Sequence, residues 1–217
     1  MRSRTFLLAG ALITASVLLG LQSETPWAAT GPTSYTDLLR EGDILFQQTG
    51  GEQGRAVRLA TGSPWTHVGV LFKLNGHWMV YEAVGPVQYE PLKEWIERGT
   101  DHHWTAKRWG TKDRTLTKEE LAQLRTAGAR FKGLPYDLQF NWSDERIYCS
   151  ELVWKMYKEG PGIELCAPRP MREHDLGSPP VQELMRARYG STPPLDELMI
   201  SPGALYDCPL LTTVVER

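Results

Sequence analysis

The dipeptide Asn75-Gly76 constrains this chain more tightly than any other feature. It stands between His67–Phe72 and Trp78–Ala83, two runs rich in β-branched and aromatic residues. A type I′ turn needs positive φ at both central residues, which Asn and Gly adopt readily. The two runs are therefore predicted to close as an antiparallel hairpin with a two-residue loop. That loop length also fixes the register: Leu74 pairs with His77, Gly69 with Glu82 and His67 with Val84. Directly paired residues share a face, and so do alternate residues along a strand. His67 and Glu82 thus project from one side as diagonal neighbours, about 7–8 Å apart at the backbone. Gly69 carries no side chain to separate them, and a slip of one residue would put them on opposite faces.

Other elements can be read around this hairpin. Ile44-Leu45-Phe46 is predicted as a buried strand and Trp104–Trp109 as another. Gly50-Gly51-Glu52-Gln53-Gly54 lacks the Gly-Lys-Ser/Thr ending of a phosphate loop and is expected to be a mobile connection. Ala56–Ala60 is expected to be a short helix ending near Gly62. Thr117 to Glu120 form a capping box ahead of Leu121, Leu124 and Phe131, with Gly133 closing that helix. Ser150–Lys158 is a further helix, with Leu152, Val153, Met156 and Tyr157 on its apolar side. Beyond Pro161 the chain is rich in proline, with a short helix expected over Val181–Arg188. This tail is read as a wrap on the core.

Of the 217 residues, 41% are hydrophobic and 23% charged, which excludes disordered and multi-span membrane classes. A net charge of −2 is too neutral for binding nucleic acid by phosphate neutralisation. Arg2 and Arg4 precede an apolar run, Phe6–Leu21, that is short for a membrane span of about 20 residues. Residues 1–29 are accordingly expected to be a signal peptide or an N-terminal membrane anchor, and 30–217 the folded domain. Ala29 suits cleavage, whereas Trp27 stands where a second small residue belongs. The expected location is exported, periplasmic or secreted.

Chemistry enters with Cys149. It opens the helix after Tyr148, and a thiol at a helix N-terminus feels the positive end of the macrodipole, which favours the thiolate. A nearby imidazole would lower its pKa further. The chain thus holds a nucleophile, a base and an orienting carboxylate in Cys149, His67 and Glu82. Spacing alone leaves open whether Cys149 meets His67 or is a buried structural cysteine.

Four segments occur in order: Gly42-Asp43-Ile44-Leu45; Ala60-Thr61-Gly62-Ser63 leading to His67-Val68-Gly69-Val70; Gly133-Leu134-Pro135-Tyr136-Asp137; and Tyr148-Cys149-Ser150-Glu151-Leu152-Val153. Together they resemble the YiiX/YebB-type permuted papain-like hydrolases of the NlpC/P60 superfamily, over roughly residues 41–158. The resemblance implies an α+β fold with circularly permuted papain-like topology, a small antiparallel sheet packed against the helix that carries the cysteine. It implies Cys149 as nucleophile, His67 as base and Glu82 as third polar residue of a cysteine hydrolase cleaving an amide bond. His67 precedes Cys149 along the chain, as in the permuted group.

Exported location makes cell-wall peptide the first substrate expectation. A lipid amide or ester substrate and a non-catalytic binding module are the alternatives. No cofactor and no metal are expected. His102-His103 lack further ligands at zinc-like spacing, and His77 and His174 are read as surface residues. Asp43 is expected to brace the first strand, and Glu151 to partner the helix dipole. Trp65, Trp78, Trp95 and Trp142 are read as core or as cleft lining. Three cysteines leave one unpaired, and a Cys166–Cys208 pair stays open.

Overall fold

The computed structural model describes residues 34–111 and 114–217, so the expected signal or anchor segment lies outside the described residues. The elements run in the order β1 (Ile44–Gln47), α1 (Gly51–Thr61), β2 (His67–Leu74), β3 (His77–Ala83), β4 (Val87–Pro91), α2 (Leu92–Arg98), β5 (Trp104–Trp109), α3 (Lys118–Ala129), α4 (Cys149–Glu159), β6 (Arg169–Pro170), α5 (Pro179–Tyr189), β7 (Leu198–Met199), α6 (Pro202–Tyr206) and β8 (Leu211–Glu216). Six strands form one antiparallel sheet in the order β4-β3-β2-β1-β5-β8. β6 and β7 form a separate two-stranded ribbon.

The β2–β3 hairpin has the anticipated register, from Leu74↔His77 to Val70↔Tyr81. Asn75 at φ 49° and Gly76 at φ 85° supply the positive angles of a type I′ turn. Period-2 alternation then sorts the side chains. Ile44, Phe46, Val68, Val70, Phe72 and Tyr81 point into a core shared with Leu152, Val153 and Met156 of α4. Leu45, Leu71 and Val80 point the other way, against Leu92 and Trp95 of α2 and Trp104 of β5. Both faces of the sheet are covered, which explains why β1 and β2 read as continuous apolar runs.

α4 is anchored at several points. Met156 packs against Gly128 of α3, where an added Cβ would lie 2.8 Å from the Met156 Cε. The Tyr157 hydroxyl donates to the Gly42 carbonyl. At the N-terminal end, Ser150 donates to the Ile200 carbonyl at 2.8 Å, and the Tyr148 hydroxyl accepts the Ile200 amide at 3.2 Å. The tail thus lies on the start of α4, and β8 adds an edge strand to the sheet.

Two expectations are corrected. Gly50–Gly54 is not a mobile connection: Gly50 is the N-cap of α1, and Gly51 to Gly54 form its first turn. The helix starts early because Gly54 packs where a Cβ would sit 2.2 Å from the Thr49 carbonyl oxygen. α3 ends at Ala129 rather than running on to Gly133. β4 and α2 were not anticipated, and both matter for the site.

Candidate active site

His67 is the first residue of β2 and Glu82 the penultimate residue of β3. The register sets them on one face, and their side chains meet: His67 Nε2 and Glu82 Oε2 are 2.5 Å apart. Substituting Gly69 would fill the gap between the strands, since a Cβ there would lie 3.3 Å from the Glu82 Cβ and 2.5 Å from Val80.

Glu82 is fully buried and holds two further partners from α2. Trp95 Nε1–H donates to its Oε2 at 2.9 Å, and Arg98 Nη2 donates to Oε1 at 2.7 Å and Oε2 at 2.5 Å. Burial alone would raise the carboxyl pKa, but the His67 and Arg98 partners hold it below its ordinary value. Glu82 is therefore a carboxylate at neutral pH, with the imidazole fixed through Nε2.

The other face of His67 meets Cys149. The thiol sits at the first position of α4, whose N-terminal partial charge favours a thiolate. Burial pushes the thiol pKa up, and three groups more than reverse it: the His67 imidazole, the Val68 amide and the Tyr136 hydroxyl. Burial likewise pulls His67 down, yet Cys149 and Glu82 raise it to about 9. Each partner thus favours the charged form of the other: the imidazole lowers the thiol pKa, and the thiol and the Glu82 carboxylate raise that of the imidazole.

Tyr136, in the Gly133–Asp137 motif, is the member that sequence reasoning missed. A bridge pairs Tyr136 with Ile147, just before the cysteine helix. Asp137 locks the intervening loop, accepting the Gln139 and Asn141 amides at 2.8 and 2.6 Å. The Tyr136 hydroxyl accepts from Gln53 Nε2 at 3.0 Å, which leaves its own proton for the Cys149 sulfur. Gln53 comes from the α1 turn that had been expected to be a loop.

Cys149 lines a cleft that opens to solvent. Its walls are largely hydrocarbon: Ala56 and Val57 of α1, Val181, Leu184 and Met185 of α5, and Phe140. His174, read as a surface residue, is half-buried and lines this cleft, because the tail folds back over α1. None of the four tryptophans lines it; Trp65 stacks on Tyr206, Trp142 packs against Trp154, and Trp95 serves Glu82. Asp43 braces the first strand, as expected, paired with Arg108 at 2.6 Å. Glu151 accepts the Tyr148 amide at 3.4 Å and pairs with Lys155 at 2.9 Å. Cys166 and Cys208 are free thiols close enough to shift each other's titration, Cys166 donating to the Ala204 carbonyl at 3.5 Å and Cys208 to the Leu165 carbonyl at 2.6 Å. Among the described residues, no cluster of three or more His, Cys, Asp or Glu side chains could hold a metal ion.

The model of the permuted papain-like amidases, the YaeF/YiiX, C92 family, matches residues 38–215. The chain belongs to that family. Its fold is the circularly permuted papain-like one, α+β, with the histidine strand ahead of the cysteine helix. Uncharacterized protein YiiX of Escherichia coli strain K12 is 42% identical over 176 residues, covering 81% of this chain and 86% of YiiX. A crystal structure described as metalloprotein yiiX, from Escherichia coli O157:H7, superposes with a TM-score of 0.78 at 41% identity. It covers 82% of this chain and 97% of that one. Membership of a permuted papain-like amidase family supports a cysteine hydrolase chemistry for the site.

Proposed function

We propose that this protein hydrolyses an amide bond through Cys149, His67 and Glu82. The observation that carries the reading is the position of His67, which contacts the Cys149 thiol on one side and the Glu82 carboxylate on the other. In the first step the thiolate attacks the carbonyl carbon, the C–N bond breaks, and the imidazolium gives its proton to the departing amine. In the second step water attacks the thioester carbonyl while His67 takes its proton. The C–S bond then breaks, releasing the acid and the thiolate. The Cys149 backbone amide and the Tyr136 hydroxyl are the donors offered to the developing oxyanion.

The basic start and apolar run of the first 21 residues favour export, and hence a substrate outside the cytoplasm. Cell-wall peptide fits that location. The hydrocarbon walls of the cleft favour a second reading, in which the acyl group is a lipid-like chain carried on an amide or ester.

The test needs no substrate: the alkylation rate of Cys149 by iodoacetamide, followed against pH in the wild type and in His67→Ala. The expected wild-type profile is already flat at neutral pH, with the thiol titrating well below the free value of about 8.5. In His67→Ala the midpoint returns towards that value, and the rate at pH 7 falls roughly 30-fold, the thiolate fraction then being about 3%. A thiol that is inert, or that titrates normally in both proteins, overturns the proposal. Because acylation needs the imidazolium proton, turnover on an amide is expected to decline as pH rises through about 9.

A further inference from the structure

The arginines that meet carboxylates elsewhere in this chain do so closely: Arg98 with Glu82, Arg108 with Asp43, Arg114 with Glu120, Arg130 with Glu159. Arg188 differs. It enters the Cys149 cleft from α5, its guanidinium stacks 5.0 Å from the Phe140 ring centroid, and Nη2 donates to Gln53 Oε1 at 2.8 Å. Its Nη1 is buried and has no hydrogen-bond partner among the described residues. The carboxylate of Asp137 lies near enough to act on it, but both Asp137 oxygens accept backbone amides. Burial lowers the Arg188 pKa, yet a guanidinium stays charged in proteins. A buried N–H of a charged group that has no acceptor is unfavourable unless a ligand supplies one.

We infer that Arg188 receives an anionic group of the substrate, a carboxylate or a phosphate, separated from the scissile carbonyl by a short apolar spacer. This inference rests on Cys149 being the nucleophile of the same cleft. The spacer follows from the chain of contacts: Arg188 reaches Gln53, Gln53 reaches the Tyr136 hydroxyl at 3.0 Å, and Tyr136 faces the Cys149 sulfur. Three links put the guanidinium several bonds from the reacting carbon. Phe140, Leu184 and Met185 wall the space a hydrocarbon spacer would cross. A planar guanidinium with a free N–H edge suits a carboxylate or phosphate oxygen better than a neutral amide.

The test compares N-iodoacetyl ω-amino acids of increasing chain length with their carboxamides and ω-phosphates, as alkylators of Cys149 in the full chain. At one or more lengths an anionic reagent is expected to react about tenfold faster than its amide. Arg188→Gln removes that preference, read as the ratio of anion to amide rates within each protein, whereas Arg188→Lys keeps part of it. Whether carboxylate or phosphate gains more identifies the group. Equal rates at every length, or a preference that survives Arg188→Gln, overturn the inference. If Cys149 reacts with neither reagent, the proposed nucleophile fails instead, and the anion site is read separately. In Cys149→Ala, hexanoate or hexyl phosphate should raise Tm where hexanamide does not. Loss of that shift in Arg188→Gln supports the site; its absence in Cys149→Ala overturns it.

Discussion

Cys149 and Cys208 are both buried, and both titrate below an ordinary thiol, by different means. At Cys208 the neighbouring Cys166 thiol outweighs burial, bringing it to about 7, while Cys166 itself is raised. In its protonated form Cys208 donates to the Leu165 carbonyl at 2.6 Å. At Cys149 burial is the largest influence and opposes ionisation; an imidazole, a backbone amide and a tyrosine hydroxyl together overcome it. The lesson is that a low thiol pKa does not make a nucleophilic site. Cys149 has an imidazole beside it, a carboxylate behind the imidazole and an open cleft in front, whereas Cys208 has a second thiol.

The sharpest way to break this comparison is at Glu82. Glu82→Gln removes the charge that three donors share and leaves Arg98 and the imidazolium without their anion. Breaking a buried pair costs about 3–5 kcal/mol. The loss here should fall near 3 kcal/mol, since Arg98 is 34% exposed and partly solvated. The urea denaturation midpoint reads that loss. The alkylation midpoint of Cys149 should rise in the same variant while that of Cys208 stays put. Equal shifts at both thiols would mean general loosening, and the account of Glu82 as the support of His67 would fail.

The second prediction concerns the other thiol pair. Oxidised glutathione should convert Cys166 and Cys208 to a disulfide, two protons and two electrons leaving the pair as the glutathione disulfide is reduced to two thiols. Peptide mapping without reductant should find that one bond and a free Cys149. The closed loop would contain β6, α5, β7 and α6, which bear much of the cleft wall. Closing a loop of this size stabilises by about 2–4 kcal/mol in the chain-entropy account, seen as a higher Tm. Mixed disulfides at Cys149 in place of the pair would reverse the assignment of roles.

What could be read from sequence divides along the same physical line. The His67–Glu82 contact was legible because the turn chemistry of Asn75-Gly76 fixes a register, and a register fixes which side chains share a face. Cys149 at a helix start was legible from the apolar spacing of Leu152, Val153 and Met156. Its meeting with His67 was not, and came only from resemblance, because no period links elements 82 residues apart. Arg98 and Trp95 on Glu82, Gln53 on Tyr136 and Arg188 on Gln53 left no signal for the same reason. Glycines hid α1: Gly50, Gly51 and Gly54 read as a loop by propensity, yet Gly54 is there because the helix approaches the Thr49 carbonyl too closely for a side chain. His174 was misread because charged neighbours predict exposure, and a folded-back tail overrides that.

The smallest effect, and the most diagnostic, is expected at Tyr136. Its hydroxyl accepts from Gln53, so its own proton is available to the Cys149 sulfur. Tyr136→Phe removes one donor to a charged acceptor and keeps the ring that packs against the core. A hydrogen bond to a charged group contributes about 1.5–3 kcal/mol, and a site that water can enter recovers part of that. The Cys149 alkylation midpoint should therefore rise by about one pH unit, since a unit corresponds to about 1.4 kcal/mol. The midpoint of Cys208, which Tyr136 does not touch, should not move. If the hydroxyl also serves the oxyanion, amide turnover at a pH where the thiol is fully ionised should still fall several-fold, because saturating the thiolate restores the nucleophile but not the donor. A turnover loss that disappears at high pH would restrict Tyr136 to tuning the thiol, the same kind of influence Cys166 exerts on Cys208.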